Sequence, residues 1–159
     1  MDILTPRGRE TLKQEKEAIR LFMGSFPGFE FIETPKDQPA DIDGFIAKEN
    51  TIISGVEVKC RIMSVSDLKH RYNSRWLITH DKIERGIRVC RSLGVDFRGF
   101  LYLVPEKMLF IVPIFSYKDG WVTEPEYEMT KTQATVNGGV AERLNAYVDV
   151  SKAKVIAGL

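Results

Sequence analysis

The stretch ADIDGFIAKENTIISGVEVKCR, residues 40–61, contains two apolar runs separated by the polar turn KEN. Apolar runs around a short polar connection predict a β-hairpin, with strands over residues 42–47 and 51–60. Because successive side chains of a strand point to opposite faces, Glu57 and Lys59 share one face of the second strand. The hairpin therefore places a carboxylate and an ammonium side by side.

Two aspartates at the beginning of the first strand, Asp41 and Asp43, also share a face. Pairing of the two strands brings one of these aspartates close to Glu57. Neighbouring carboxylates repel each other unless a cation lies between them, and hard oxygen ligands suit Mg²⁺ or Mn²⁺. We therefore expect a metal site here, with the backbone carbonyl of Val58 as a further ligand and Lys59 placed to orient or deprotonate a metal-bound water.

The composition is typical of one globular domain over residues 1–159. The chain has 159 residues, of which 43% are hydrophobic, and this is enough for a single core. No apolar stretch reaches the roughly 20 residues that a membrane span needs, and the N-terminus lacks the apolar block of a secretory signal. Two cysteines are too few for a disulfide framework. We expect a cytoplasmic protein that makes no contact with a membrane.

Apolar periodicity predicts a first helix over residues 11–23, with Glu15 inside its apolar stripe. The other predicted elements are a strand over 30–34, a short helix with a loop in 63–76, a helix over 82–93, strands over 97–104 and 107–115, and a short helix near 141–146. This order predicts a mixed central sheet flanked by helices, in the α/β or α+β range. The domain then consists of a core over about 11–115 and a C-terminal extension over 116–159.

A basic block lies in the middle of the chain. Residues 59–91 carry 9 basic and 3 acidic side chains, although the net charge of the whole chain is only +1. A local block of this kind indicates an anionic partner, with a solvated helix face as the alternative. Three arginines recur at three-residue spacing on the predicted helix, where they can follow a phosphate backbone. The candidates for binding DNA are Arg71, Arg75, Lys82, Arg85, Arg88 and Arg91.

Together, Glu15 on the first helix, the stretch Asp43-Gly-Phe-Ile and the stretch Glu57-Val-Lys59 resemble the PD-(D/E)XK nuclease superfamily. That superfamily includes restriction endonucleases, Holliday-junction resolvases and lambda-type exonucleases. The resemblance covers about residues 11–104. It implies a restriction-endonuclease-like core, a Mg²⁺ site and hydrolysis of phosphodiester bonds.

The resemblance also implies roles for single residues. Asp43 and Glu57 would hold the metal, Lys59 would position the attacking water, and Glu15 matches the first-helix acid of resolvase-like members. Asp41 stays an alternative ligand, because the proline-aspartate pairing of the family is not literal in this chain. Lys82 matches the lysine that some members carry on the following helix.

The sequence therefore predicts a Mg²⁺-dependent deoxyribonuclease, with Mn²⁺ able to substitute. It is expected to be a structure-selective or non-specific endonuclease of the resolvase-like kind. The alternative is a non-catalytic nucleic-acid-binding or assembly module that retained the fold. Coordinated cutting of two strands calls for two sites, and the apolar strands FLYLV and MLFIVPIF offer hydrophobic surface for a homodimer; the alternative is that these strands form the buried centre of the sheet.

Overall fold

A mixed β-sheet forms the centre of the fold, and a computed structural model describes residues 5–134 and 140–158. The helices are α1 (Pro6–Ser25) and α2 (His80–Leu93), with a π-helical turn at Asp67–Arg71. The strands are β1 (Phe29–Glu33), β2 (Gly44–Lys48), β3 (Thr51–Arg61), β4 (Arg75–Thr79), β5 (Asp96–Leu103), β6 (Met108–Ser116), β7 (Gly120–Trp121), β8 (Glu126–Ala134), β9 (Val140–Asp149) and β10 (Lys154–Ala157).

The central sheet has the strand order β1-β2-β3-β5-β6-β10, and β7 pairs with the edge of β6. Strands β3 and β5 run parallel, while the other neighbours are antiparallel. A parallel pair needs a crossover connection, and α2 lies within the one that joins β3 to β5. A second, smaller sheet of the described chain has the order β4-β9-β8. The prediction of a mixed central sheet flanked by helices is confirmed.

Helix α1 covers one face of the central sheet. Its apolar residues Ala18 and Phe22 pack in one cluster with Val56, Val58 and Phe100 of strands β3 and β5. The helix begins earlier than the predicted residue 11, because the side chain of Thr5 accepts a hydrogen bond from the backbone N–H of Gly8 at 2.9 Å and Pro6 occupies the first helical turn.

Helix α2 and the smaller sheet cover the opposite face. Ile83, Ile87 and Cys90 of the helix pack in one cluster with Trp76 of β4 and Val148 of β9. The helix ends at Gly94, which has φ 69° and adopts the left-handed conformation favoured by glycine. Of the residues predicted to face inward on this helix, Ile83, Ile87 and Cys90 are buried, whereas Leu93 in the last turn is 50% exposed. The predicted end of the helix at Leu93 is confirmed.

Two predictions of local structure were wrong. Residues 141–146 form part of strand β9 and not a short helix, and residues 75 and 76, at the end of the segment predicted as a short helix with a loop, begin strand β4. In both cases the cause is long-range pairing, since Trp76 lies opposite Val148 and Ile78 lies opposite Ala146. Strand β10, from the same C-terminal region, joins the central sheet beside β6.

No helix in the described parts of the chain is long and apolar enough to cross a membrane.

Candidate metal and active site

The candidate site lies beside β3, just beyond the N-terminal end of β2 at Gly44. The pairing of β2 with β3 extends from Lys48 opposite Thr51 to Gly44 opposite Val56. Just beyond it, the backbone N–H of Asp43 donates to the Val56 carbonyl at 3.1 Å, and the N–H of Val58 donates to Oδ2 of Asp43 at 2.7 Å. The backbone of β3 therefore holds the Asp43 carboxylate at the edge of the strand.

The backbone carbonyl of Val58 faces the same edge. In a β-strand the N–H and C=O groups of one residue point toward the same neighbouring strand, and the Val58 N–H points to Asp43. Because the β2–β3 pairing stops at Val56, this carbonyl lies past the end of the ladder. Its direction agrees with the predicted role of a further oxygen ligand.

Glu57 is a buried carboxylate with unsatisfied oxygens. The residue is 1% exposed, and neither of its carboxylate oxygens has a hydrogen-bond donor among the described residues. The ammonium of Lys59 lies 3.2 Å from Oε1 and that of Lys82 lies 3.9 Å away, both as ion pairs. Burial, followed by the charge of Asp43, raises the pKa of Glu57 to about 7, and the two lysines oppose this rise.

Glu15 is brought to the same place from helix α1. The helical periodicity turns this carboxylate inward, and the residue is 7% exposed. Burial raises its pKa first, and the charge of Asp43 raises it further. The ammonium of Lys36 lies 3.6 Å from Oε2 of Glu15 and lowers the same pKa.

Lys36 is the member of this cluster that the sequence did not reveal. Its Nζ lies 3.6 Å from Oδ1 of Asp43 as well as 3.6 Å from Glu15. The residue lies in the irregular connection between β1 and β2, where no periodicity indicates which side chains point inward. No feature of the sequence could have singled it out from its polar neighbours.

The predicted alternative ligand, Asp41, is exposed, and none of the contacts described within the carboxylate cluster involves it. The structure therefore brings together Glu15, Asp43, Glu57 and Lys59, and leaves Asp41 outside the cluster.

The donor set fits a hard divalent cation that keeps part of its water. Within residues 5–134 and 140–158, no three or more His, Cys, Asp or Glu side chains are placed as a complete metal-binding group. Mg²⁺, however, is commonly bound by one or two carboxylates while its other ligands are water and substrate phosphate. Asp43 and Glu57 supply two carboxylates; the ammoniums of Lys59 and Lys82 lie near Oε1 of Glu57, whereas its Oε2 has no hydrogen-bond partner among the described residues.

A cleft opens beside the cluster. It has a volume of about 290 Å³, and its lining includes Glu15, Lys59, Arg7, Thr11 and Arg61. Three of these side chains are cationic, so the cleft suits an anionic group that approaches the carboxylates from solvent. Arg7, Thr11 and Arg61 were not among the residues predicted from the sequence.

The predicted basic residues are spread over several surfaces. Lys82 reaches Glu57, as described above. Next on the helix, Arg85 forms an ion pair with Asp81 at 2.9 Å, and Arg88 is exposed. Of the predicted basic residues of this helix, Lys82 is the one with a described contact to the carboxylate cluster.

Three further arginines lie against aromatic rings of the chain itself. The guanidinium of Arg71 lies 5.5 Å from the ring centre of Tyr72, that of Arg75 lies 4.4 Å from Tyr147, and that of Arg91 lies 4.9 Å from Phe115. Arg75 also pairs with Glu126 at 2.8 Å. The contacts of Arg75 and Arg91 join different elements of the fold, whereas Arg71 lies over the ring of its neighbour in the chain.

No family model matches the chain, and no curated protein matches it. Among solved structures, the chain is similar to the 1.6 Å structure of Hjc, a Holliday junction resolvase from the archaeal hyperthermophile Archaeoglobus fulgidus. The two are 20% identical in sequence, the match covers 65% of this chain and 74% of that chain, and the TM-score is 0.46.

Proposed function

We propose that this chain is a Mg²⁺-dependent nuclease of the PD-(D/E)XK type that hydrolyses phosphodiester bonds of DNA. The observation that carries the proposal is the placement of Asp43, Glu57 and Lys59 around the end of β2. Glu57 is buried with both carboxylate oxygens lacking a donor among the described residues, and Asp43 is fixed beside it by the Val58 N–H. A buried carboxylate such as Glu57 beside a second carboxylate is costly unless cationic groups neutralise the pair, and a divalent cation can do this together with the lysines of the site.

The chemistry assigns a task to each side chain. When bound, a divalent cation polarises the phosphoryl group and makes water more acidic. Asp43 and Glu57 would hold that cation. The ammonium of Lys59, 3.2 Å from Glu57, would orient the attacking water and stabilise negative charge on the phosphoryl oxygens. Glu15, whose pKa is raised by burial, lines the same cleft and would take up the proton of the water, while the P–O bond to the leaving oxygen breaks and that oxygen takes a proton from solvent.

The proposed substrate is DNA. We propose that the protein recognises the shape of the DNA or cuts it without sequence preference, in the manner of a junction resolvase. The described residues fold into the two sheets and their helices, and no separate module for reading bases is present among them. The cationic residues of the cleft are suited to phosphate groups, which carry no sequence information. Mn²⁺ is expected to substitute for Mg²⁺, since both prefer oxygen ligands.

A homodimer is part of the proposal on chemical grounds, because one site cuts one strand. The apolar strands that suggested a dimer do not supply its surface: residues of β5 and β6 such as Phe100, Leu101 and Val112 are buried within the chain. A dimer must therefore use another face. Light scattering of the protein, free and bound to branched DNA, measures the mass, and a monomeric mass in both states contradicts the dimer.

The test compares two neighbouring aspartates. Purified wild-type protein, Asp43→Asn and Asp41→Asn are incubated with linear, nicked, branched and single-stranded DNA, with and without Mg²⁺. We expect cleavage by the wild type only with the metal, and a loss of at least about a hundredfold in Asp43→Asn, since the amide can still accept from Val58 but cannot neutralise a cation. Asp41→Asn, the matched control, should retain activity.

The opposite outcome has a clear meaning. A folded wild-type protein that binds DNA yet cleaves none of these substrates with Mg²⁺ or Mn²⁺ contradicts the nuclease proposal. That result would favour the non-catalytic nucleic-acid-binding module.

A further inference from the structure

Lys36 joins two of the three buried or half-buried carboxylates of the site. Its Nζ lies 3.6 Å from Glu15 and 3.6 Å from Asp43, and 3.4 Å from the backbone carbonyl of Asp43, to which it donates a hydrogen bond. The side chain is 19% exposed, so the ammonium is largely removed from water. One ammonium thus bridges carboxylates that come from helix α1 and from the beginning of β2.

The connection that carries Lys36 is fastened at its ends and exposed between them. The hydroxyl of Thr34 lies 2.7 Å from the carbonyl oxygen of Ile42 and 2.9 Å from that of Asp43, which share its one proton, and the Thr34 N–H donates to the Asp43 carbonyl at 3.0 Å. Residues 35 and 37–39 are exposed, whereas the side chain of Lys36 turns inward. These hydrogen bonds hold the base of this connection, and the long lysine side chain extends from it into the carboxylate cluster.

The charges of the cluster balance without a metal. Glu15, Asp43 and Glu57 are matched by three ammoniums, those of Lys36, Lys59 and Lys82. Lys59 and Lys82 both form ion pairs with Glu57, and Lys36 forms ion pairs with the other two carboxylates. A divalent cation at Asp43 would repel an ammonium that touches the same carboxylate, because two like charges a few ångströms apart are strongly unfavourable in a partly buried site.

We propose that Lys36 is a displaceable counter-ion, which holds Glu15 and Asp43 together before metal binding and leaves Asp43 when a divalent cation arrives. The inference rests on the proposed function only in that Asp43 is a metal ligand. It predicts that the chain exchanges one internal ammonium for a metal ion. The site then stays folded without metal, at the cost of weaker metal binding.

The test measures metal affinity in Lys36→Met, which keeps the length of the side chain and removes its charge. Titration calorimetry with Mn²⁺ at pH 8, without DNA, should show binding that is tighter than in the wild type by about tenfold or more, because the competing charge is gone. The exposed Lys118→Met is the matched control and should stay within about twofold of the wild type. Unchanged or weaker Mn²⁺ binding in Lys36→Met overturns the inference.

A second measurement separates charge from packing. In EDTA, Lys36→Met should lower the melting temperature, since two carboxylates then lack their common partner. The same change made in a Glu15→Gln background should lower the melting temperature much less, because only one of the two carboxylates remains charged. Equal losses in both backgrounds would show that Lys36 acts by packing, and would overturn the inference.

The Glu15→Gln background also protects the test against misfolding. If Lys36→Met does not fold alone, the double variant is compared with Glu15→Gln, and tighter Mn²⁺ binding is still expected because Asp43 loses its competitor. DNA cleavage plays no part in these measurements. A protein that shows the exchange and cuts no DNA contradicts the nuclease proposal alone, while a wild-type protein that binds no Mn²⁺ overturns the exchange.

Discussion

The buried carboxylate of Glu57 should make the metal-free protein less stable, and Glu57→Gln should reverse this effect. Burial and the charge of Asp43 raise the pKa of Glu57 from 4.5 to about 7. A raised carboxyl pKa means that the folded state favours the protonated form. The folded state therefore binds more protons than the unfolded state between these two values, and its stability falls as the pH rises through this window.

The size of the effect follows from the pKa. A rise from 4.5 to about 7 corresponds to about 3 kcal/mol of free energy of unfolding, which is lost progressively between the two values and is fully lost above about pH 7. For a chain of this length, about 3 kcal/mol corresponds to a change of roughly 6–12 °C in melting temperature. In EDTA, Glu57→Gln should therefore raise the melting temperature by about this amount at pH 8, and by almost nothing near pH 4.5.

The assay is thermal and urea unfolding from pH 4.5 to 8.5, in EDTA and in Mn²⁺. Exposed Glu10→Gln is the control and should leave the difference from the wild type independent of pH. Mn²⁺ should stabilise the wild type at pH 8 and stabilise Glu57→Gln far less, since one ligand is lost. If Glu57→Gln destabilises the metal-free protein at pH 8, or if its effect does not change with pH, the reasoning that ionised Glu57 destabilises the folded protein is refuted.

The remaining predictions concern chemistry, DNA binding and packing. Lys59→Ala should lower cleavage by at least about a hundredfold while DNA affinity, measured by fluorescence anisotropy, stays within about twofold; wild-type turnover would contradict its role. Arg88→Ala should weaken binding to all DNA sequences alike and reduce the salt slope by about one, and an unaltered slope would assign Arg88 to a solvated face. Gly99→Ala should cost about 1–3 kcal/mol in urea unfolding, because the added Cβ would lie 2.4 Å from the ring of Trp76. Gly24→Ala, whose Cβ meets nothing within 4 Å, is its control and should not destabilise.

Those parts of the site that depend on local periodicity could be predicted from the sequence. Alternation along one strand placed Glu57 and Lys59 on a common face, and helical periodicity turned Glu15 inward. In the structure, Glu15 and Glu57 are buried, and Lys59 lies 3.2 Å from Glu57. In each case the direction of the side chain follows from the helix or strand in which it lies, and the residues that determine that element are close by in the sequence.

The parts that depend on distant contacts could not be predicted. Trp76 and Val148 lie opposite each other although they are far apart in the chain, and neither segment shows that it will be a strand without the other. Lys36 lies in an irregular connection, where the direction of a side chain is set by tertiary contacts such as the clamp of Thr34 on Asp43. The periodicity of apolar residues therefore does not predict which way the Lys36 side chain points.

The pairing register of β2 and β3 decides whether these charged residues can act together. Gly44 lies opposite Val56, so Asp43 comes to rest beside Val58 and Glu57. A side chain at Gly44 would prevent this pairing, since its Cβ would lie 2.3 Å from the ring of Phe31 on β1. Because side chains alternate between faces, a slip of one residue would turn Asp43 away from Glu57 and leave the buried glutamate without a second ligand. The glycine that permits the close approach of three strands is thus also a condition for the proposed metal site.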